Sequence, residues 1–171
     1  MTNNIKLQEV CKQLHIPVVG TTSWPLPREA REILRESNPC PFTAADLEER
    51  LIGTSEFMPR SAIVCLFPYH VPHENPTNLS RYTWATDYHL VVTDYLQRLV
   101  DELKTTAPDA SFSIHCDTSP LADRYIAYLA GLGFYGKNKC FINPTWGSYI
   151  VIGTVLTTLE FESNTPMTDT C

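Results

Sequence analysis

No run of 18 apolar residues occurs in this chain, which excludes a membrane-spanning helix. Its first residues, M-T-N-N-I-K-L-Q-E-V, offer no apolar signal core and no small-residue cleavage site, so a cytoplasmic protein is expected. Internal repeats and low-complexity segments are also missing, which sets repeat architectures aside. No C-x-x-C clip is complete, because the six cysteines (Cys11, Cys40, Cys65, Cys116, Cys140 and Cys171) all lie far apart. Cys65 and Cys116 sit inside apolar runs, where a thiol commonly serves as a small buried hydrophobe. Reduced thiols in a cytosolic protein are therefore expected. Basic residues are scarce: 13 Lys and Arg face 19 Asp and Glu, for a net charge of −6. Such a chain is poorly suited to hold a polynucleotide unaided, since phosphate contacts need cations.

What is present suffices for one ordinary domain. A length of 171 residues, with 43% hydrophobic and 19% charged side chains, describes a globular chain able to bury a core. Helical spacing predicts helices over 5–14 and 28–35, with a short strand over 16–20 between them. Thr43 is a candidate N-cap for a helix over 44–51. The run S-A-I-V-C-L-F, from Ser61 to Phe67, has strand length and the continuous apolarity of a strand covered on both faces. The irregular stretch over 68–76 carries His70 and His73. A long helix is expected over 87–104, capped by Thr86, with Tyr88, Val91, Val92, Tyr95, Leu99 and Leu103 on its apolar side. A strand over 112–116 leads into a helix starting at Asp117 with Pro120 in its first turn. Segments 140–143 and 149–157 are expected to pair across the turn P-T-W-G. This order reads as α/β or as a mixed α+β layer fold.

The densest chemistry lies between Ser113 and Gly153. A lone acid at a strand-to-helix switch, here Asp117, is a common location for a functional group. Asp117 admits two readings: a helix cap accepting backbone N–H bonds, or a general acid or base. The string Gly131-Leu-Gly133-Phe-Tyr-Gly136 matches G-x-G-x-x-G, but it follows a helix instead of a strand, so a dinucleotide site is not expected. A helix C-cap accounts for these glycines, and so does close backbone approach to a large flat ligand. His115, Cys116 and Asp117 cannot converge on one metal, because neighbouring strand residues point to opposite faces. The segment Ser80 to His89 mixes aromatic and charged groups before the long helix. It suits an N-cap region with His89 structural, or a ligand surface.

Several of these segments together resemble one family, the epoxyqueuosine reductases. The likeness rests on S-R-Y-x-x-x-x-D-Y-H, D-T-S-P-L-A-D-R, G-L-G-F-Y-G-K-N and I-N-P-T-W-G-S-Y-I-V-I-G, in register, with P-R-S-A-I-V-C-L-F-P-Y upstream. The resemblance implies a nitroreductase-like cobalamin-binding domain over residues 1–160. It also implies a cobalamin-dependent iron–sulfur oxidoreductase that completes queuosine in tRNA. Asp117 would be the proton donor. Arg124 would contact the corrin, with Phe141 and Ile152 where backbone approaches it, and Arg50 and Tyr82 near two further cobalamin contacts. Residues 161–171 would be a linker and the start of a ferredoxin-like module with [4Fe-4S] clusters, in which Cys171 is the first cluster ligand. The sequence would then be a fragment, inactive alone, whose tRNA contacts come substantially from elsewhere in the protein; no membrane partner is implied and the electron donor stays open. A related corrinoid or flavin reductase acting on a small molecule, and a non-catalytic binding domain, are the competing readings.

Overall fold

A computed structural model describes residues 3–36, 57–69 and 78–168 of the chain. Its elements are α1 (Asn3–Gln13), β1 (Val18–Ser23), α2 (Arg28–Glu36), β2 (Ser61–Pro68), a 3-10 turn (Arg81–Trp84) and α3 (Tyr88–Thr106). They continue with β3 (Phe112–Cys116), α4 (Asp123–Leu129), β4 (Phe134–Tyr135), β5 (Phe141–Ile142) and β6 (Ile150–Thr157). The main sheet has the order β1-β2-β6-β3, with every neighbouring pair antiparallel.

Helices cover both faces of this sheet, which explains the unbroken apolar run of β2. Ile63 and Cys65 point to a core shared with α1 and α3, where Leu7, Leu96 and Leu99 are fully buried. Ala62, Val64 and Leu66 point the other way, to a core built with Trp24, Leu26, Ile126, Ala127 and Phe141. Alternate residues of one strand thus feed two layers. Full burial of one leucine stabilises by roughly 1.5–3 kcal/mol. The mixed helix-and-sheet layer fold is the one expected from the sequence.

Four local expectations are corrected. Helix α3 is capped by Asp87, which accepts the His89 backbone N–H at 2.9 Å; Thr86 lies one residue too early. The helix after β3 starts at Asp123, so Pro120 sits in the preceding loop and Asp117 caps nothing. Segment 140–143 does not pair with β6: β5 pairs with β4, while β6 fills the gap between β2 and β3. The Asn143–Gly147 bridge closes the P-T-W-G turn, with Asn143 Oδ1 accepting the Thr145 and Trp146 N–H groups at 3.0 Å each. The resemblance implied a linker from residue 161 onward, yet Phe161 is buried in the first core and Asn164 bonds to β1. The predicted helix over 44–51, with its cap Thr43, lies outside the described residues, as do His70 and His73.

The glycine cluster serves packing. Gly131 takes φ +70 at the end of α4, while Leu132 N–H returns to the Ala127 carbonyl at 3.1 Å, closing a Schellman-type cap. A Cβ on Gly133 would lie 2.3 Å from the Ile142 carbonyl oxygen, so this glycine lets β4 and β5 pack, and no ligand is needed to explain it.

Candidate active site

Strand β3 delivers the chain to one end of the sheet, where Cys116 faces Gly153 of β6. Asp117 then turns into the left-handed region at φ 55, a conformation that costs a non-glycine residue about 1–2 kcal/mol. Two tight contacts hold the turn: Thr118 N–H donates to the Cys116 carbonyl at 2.6 Å and Ser119 N–H to the Asp117 carbonyl at 2.7 Å. The turn throws the Asp117 carboxyl outward, leaving its side chain 60% exposed. Protein atoms alone do not bury this acid.

The first turn of α3 meets it. Tyr88 Oη–H donates to Asp117 Oδ2 at 2.5 Å. His89 Nε2 lies 3.5 Å from the same oxygen, and the His89 ring stacks on Tyr88 with centroids 4.0 Å apart. On its far side His89 Nδ1 is 2.8 Å from Asp87 Oδ1. Burial, and then the bond to Asp117, pushes the Tyr88 phenol far above its ordinary value, so Tyr88 remains a donor at any physiological pH. Burial, followed by the Asp117 charge, pushes the Cys116 thiol up to about 11. Cys116 is thus a protonated neighbour with little nucleophilic character.

The expected site residues fall into two groups. Tyr82 is 45% exposed and packs edge-on against Tyr88 at 5.7 Å, which ties it to the Asp117 group. Arg124, on α4, is exposed, and its Nη1 donates to the Lys139 carbonyl at 3.4 Å. Tyr135 joins Arg124 to Phe141: its ring meets Phe141 edge-on at 6.3 Å, and Arg124 partly offsets the burial that raises the phenol to about 12. Phe141 is 5% exposed and shares a core with the half-buried Ile152. Arg50 and Cys171 lie outside the described residues.

Sequence reasoning placed Tyr88 on the apolar side of the helix and left His89 between a structural role and a ligand surface, without linking either to Asp117. The signal was present as D-Y-H at the start of the longest helix, but its target lies 29 residues away from Tyr88. A second aromatic set borders this end of the sheet: Tyr69 and Tyr149 meet edge-on at 5.3 Å, with the Arg81 guanidinium 5.9 Å over the Tyr149 ring.

An exposed acid that accepts a phenol's hydrogen bond, with an imidazole close by, stands at the end of the helix-covered sheet of a mixed helix-and-sheet layer domain. Its fold is shared with a reductive dehalogenase whose structure was used to infer B12-dependent dehalogenation (TM-score 0.58, 14% identity, 96% of this chain and 21% of that one). The family model for epoxyqueuosine reductase QueG, DUF1730, matches residues 55–118. An epoxyqueuosine reductase of Bacillus cereus is 40% identical over 91 residues, covering 53% of this chain and 24% of the relative. One from Gloeobacter violaceus is 34% identical over 130 residues, covering 74% and 39%. The solved epoxyqueuosine reductase with a tRNA-Tyr epoxyqueuosine-modified stem loop superposes with a TM-score of 0.84 at 27% identity, over 98% of this chain and 48% of that one. Another, from Bacillus subtilis, has its catalytic aspartate loop swung out of the active site (TM-score 0.81, 26% identity, 98% and 48%). The chain is similar to the epoxyqueuosine reductases, and its residues 55–118 match their QueG-type family model. It spans less than half the length of these relatives.

Proposed function

We propose that this chain is the cobalamin-binding part of an enzyme that reduces epoxyqueuosine to queuosine in tRNA, with Asp117 as the proton donor. The observation that carries the reading is Asp117 itself. It is a mostly exposed carboxyl in a left-handed turn, gripped by Tyr88 yet capping no helix. A purely structural aspartate at this place would gain more by accepting backbone N–H groups.

The residues present fit a large flat cofactor. Asp117, Tyr82 and Arg124 are exposed polar groups, and half-buried Ile150 and Ile152 open β6 at the same end of the sheet as Cys116. Tyr82, Arg124, Phe141 and Ile152 would hold the cofactor, Phe141 through its backbone because its side chain is already buried in the core. Arg50 would add a further contact. When bound, cobalamin would supply the electrons for opening the epoxide.

The chain's own part is to position and to protonate. Asp117 gives a proton from its carboxyl to the oxygen released as the ring opens, so that no alkoxide has to leave unassisted. Tyr88 fixes Oδ2 and keeps the carboxyl from rotating away. A bound guest lying over the Asp117 loop would remove water from an acid that the protein leaves open. The [4Fe-4S] module, with Cys171 as its first ligand, and most tRNA contacts would lie outside residues 1–160.

The test is a titration of the purified chain with cobalamin, followed by its visible spectrum. A saturable spectral change that is weakened by Arg124→Ala is expected. An unchanged spectrum at high protein concentration overturns the reading and leaves a flavin-dependent or non-catalytic domain.

A further inference from the structure

Four separate segments each bring a tyrosine to the rim of the sheet beside α3. Tyr69 follows β2, Tyr82 lies in the 3-10 turn, Tyr88 opens α3 and Tyr149 precedes β6. The Tyr69 N–H donates to the Tyr149 carbonyl at 3.1 Å, so the β2–β6 pairing continues one residue past the strands and sets these two rings together. Burial first, and then Tyr149, raises the Tyr69 phenol; Arg81 opposes the shift and Tyr82 adds to it, which makes neighbours of the four side chains. Tyr82 in turn meets Tyr88, whose hydroxyl bonds Asp117. One aromatic line thus runs from Asp117 to Tyr149.

The outer end of this line is open. Tyr149 is 47% exposed, although Arg81 stands 5.9 Å over its ring and Tyr69 meets it edge-on. An exposed tyrosine by itself signals nothing. A ring braced by a cation and a second ring, and joined through two more to a candidate acid, is a prepared surface for a flat group. Tyrosine suits that task, because it offers a large contact area at a small cost in rotamer freedom. Side-chain alternation separates this surface from the cofactor's place. Along β6, Ile150 and Ile152 pack against the core that holds Phe141, whereas Val151 packs against the core of α3. Tyr149 has the parity of Val151, so it belongs to the α3 side, opposite Ile152. Charge points the same way: a chain with a net charge of −6 has few cations to give to phosphates, and neutral rings hold a strand by its bases instead.

We propose that Tyr149, braced by Arg81 and Tyr69, is a stacking platform for an unpaired nucleobase of the RNA strand, next to the nucleotide that reaches Asp117. Unpaired bases of RNA loops are held on aromatic rings in this way, and a ring accepts any base because each has a flat face. Holding the neighbouring base fixes the strand, and with it the distance from the reacting nucleotide to the acid. This inference rests on the reading of the chain as part of an enzyme acting on epoxyqueuosine in tRNA, and it adds the residue that grips the strand.

The test measures the affinity of the full-length enzyme for an RNA stem loop that carries epoxyqueuosine. Tyr149→Ala, or Tyr149→Leu where bulk must be kept, should weaken binding about tenfold. Tyr149→Phe should bind as the parent does, because stacking uses the ring and not the hydroxyl. An abasic nucleotide on one side of the epoxyqueuosine should cost the parent enzyme a similar factor and cost Tyr149→Ala nothing further. Cobalamin affinity should be the same in all variants. Unchanged RNA affinity in the ring-less variants overturns the proposal, as does a loss in Tyr149→Phe equal to that in Tyr149→Ala, or a full extra loss with the abasic RNA on either side. Weakened cobalamin binding at an unchanged melting temperature also overturns it, by giving the ring to the cofactor. An enzyme that reduces epoxyqueuosine but ignores the loss of the ring sinks this inference alone. One that neither binds cobalamin nor reduces epoxyqueuosine sinks the earlier reading.

Discussion

Asn164 closes the open edge of the sheet by bonding Thr21 from both directions. Its side-chain Oδ1 accepts the Thr21 backbone N–H at 2.7 Å, and its own N–H donates to the Thr21 carbonyl at 2.8 Å. Thr21 is 1% exposed, and its hydroxyl donates to the Glu162 carbonyl at 2.7 Å. Strand β1 is an edge strand, with backbone groups that would otherwise be open to another chain.

Removal of the Asn164 side chain should therefore cost more than a surface change. Asn164→Ala leaves the buried Thr21 N–H without its acceptor, for an expected loss of about 1–3 kcal/mol. Urea unfolding of the purified chain measures it. A loss within the ordinary surface range of about 0.5 kcal/mol would show that water takes over the bond.

Gly153 sets how closely α3 approaches β6. A Cβ there would lie 2.8 Å from Leu96 Cδ1 and 2.8 Å from Val92 Cγ1, both in fully packed side chains. Gly153→Ala should destabilise by about 1–3 kcal/mol through overpacking. Calorimetry checks it, and Val92→Ala in the same chain should recover part of the loss. Gly153 also faces Cys116, so the shift would reach the Asp117 turn and should speed exchange at Thr118.

The layers of this protein were legible because apolar runs announce them. Ser61 to Phe67 reads as a strand covered on both sides, and it is one, since its alternate residues enter two separate cores. The spacing of Val92, Leu99 and Leu103 gave α3 for the same reason. The hairpin was misread because P-T-W-G has good turn chemistry, yet sheet order depends on partners far away in sequence, and β6 found β2 and β3. Asp117 was visible as a candidate, together with its two possible roles. Its partners were not: the bond from Tyr88 depends on how α3 lies across β3, which no local pattern encodes.

Acid should weaken the fold through His115. Burial lowers this imidazole below its ordinary 6.5, and Ser113 Oγ is 2.9 Å from its Nε2. Because the folded value lies below the unfolded one, the unfolded chain takes up the proton first as pH falls. Stability is thus full above about 6.5 and declines below it, through the folded value. His115→Gln should flatten this part of the profile. Chemical unfolding at stepped pH values measures it, and an unchanged slope in the variant would assign the acid sensitivity to other groups.

Asp117→Asn separates the carboxyl's two possible duties. Asparagine keeps the size of the side chain and can still accept the Tyr88 hydroxyl through Oδ1, so the turn at φ 55 should survive. It cannot release a proton in the way a carboxylic acid does. Under the proposed function, cobalamin affinity should change little, while reduction of epoxyqueuosine by the full-length enzyme should fall by about 10²–10⁴. Thermal stability should stay close to wild type, because Asp117 caps no helix and is mostly exposed. Retained turnover together with a lowered melting temperature would make Asp117 a structural residue and remove the acid from the mechanism.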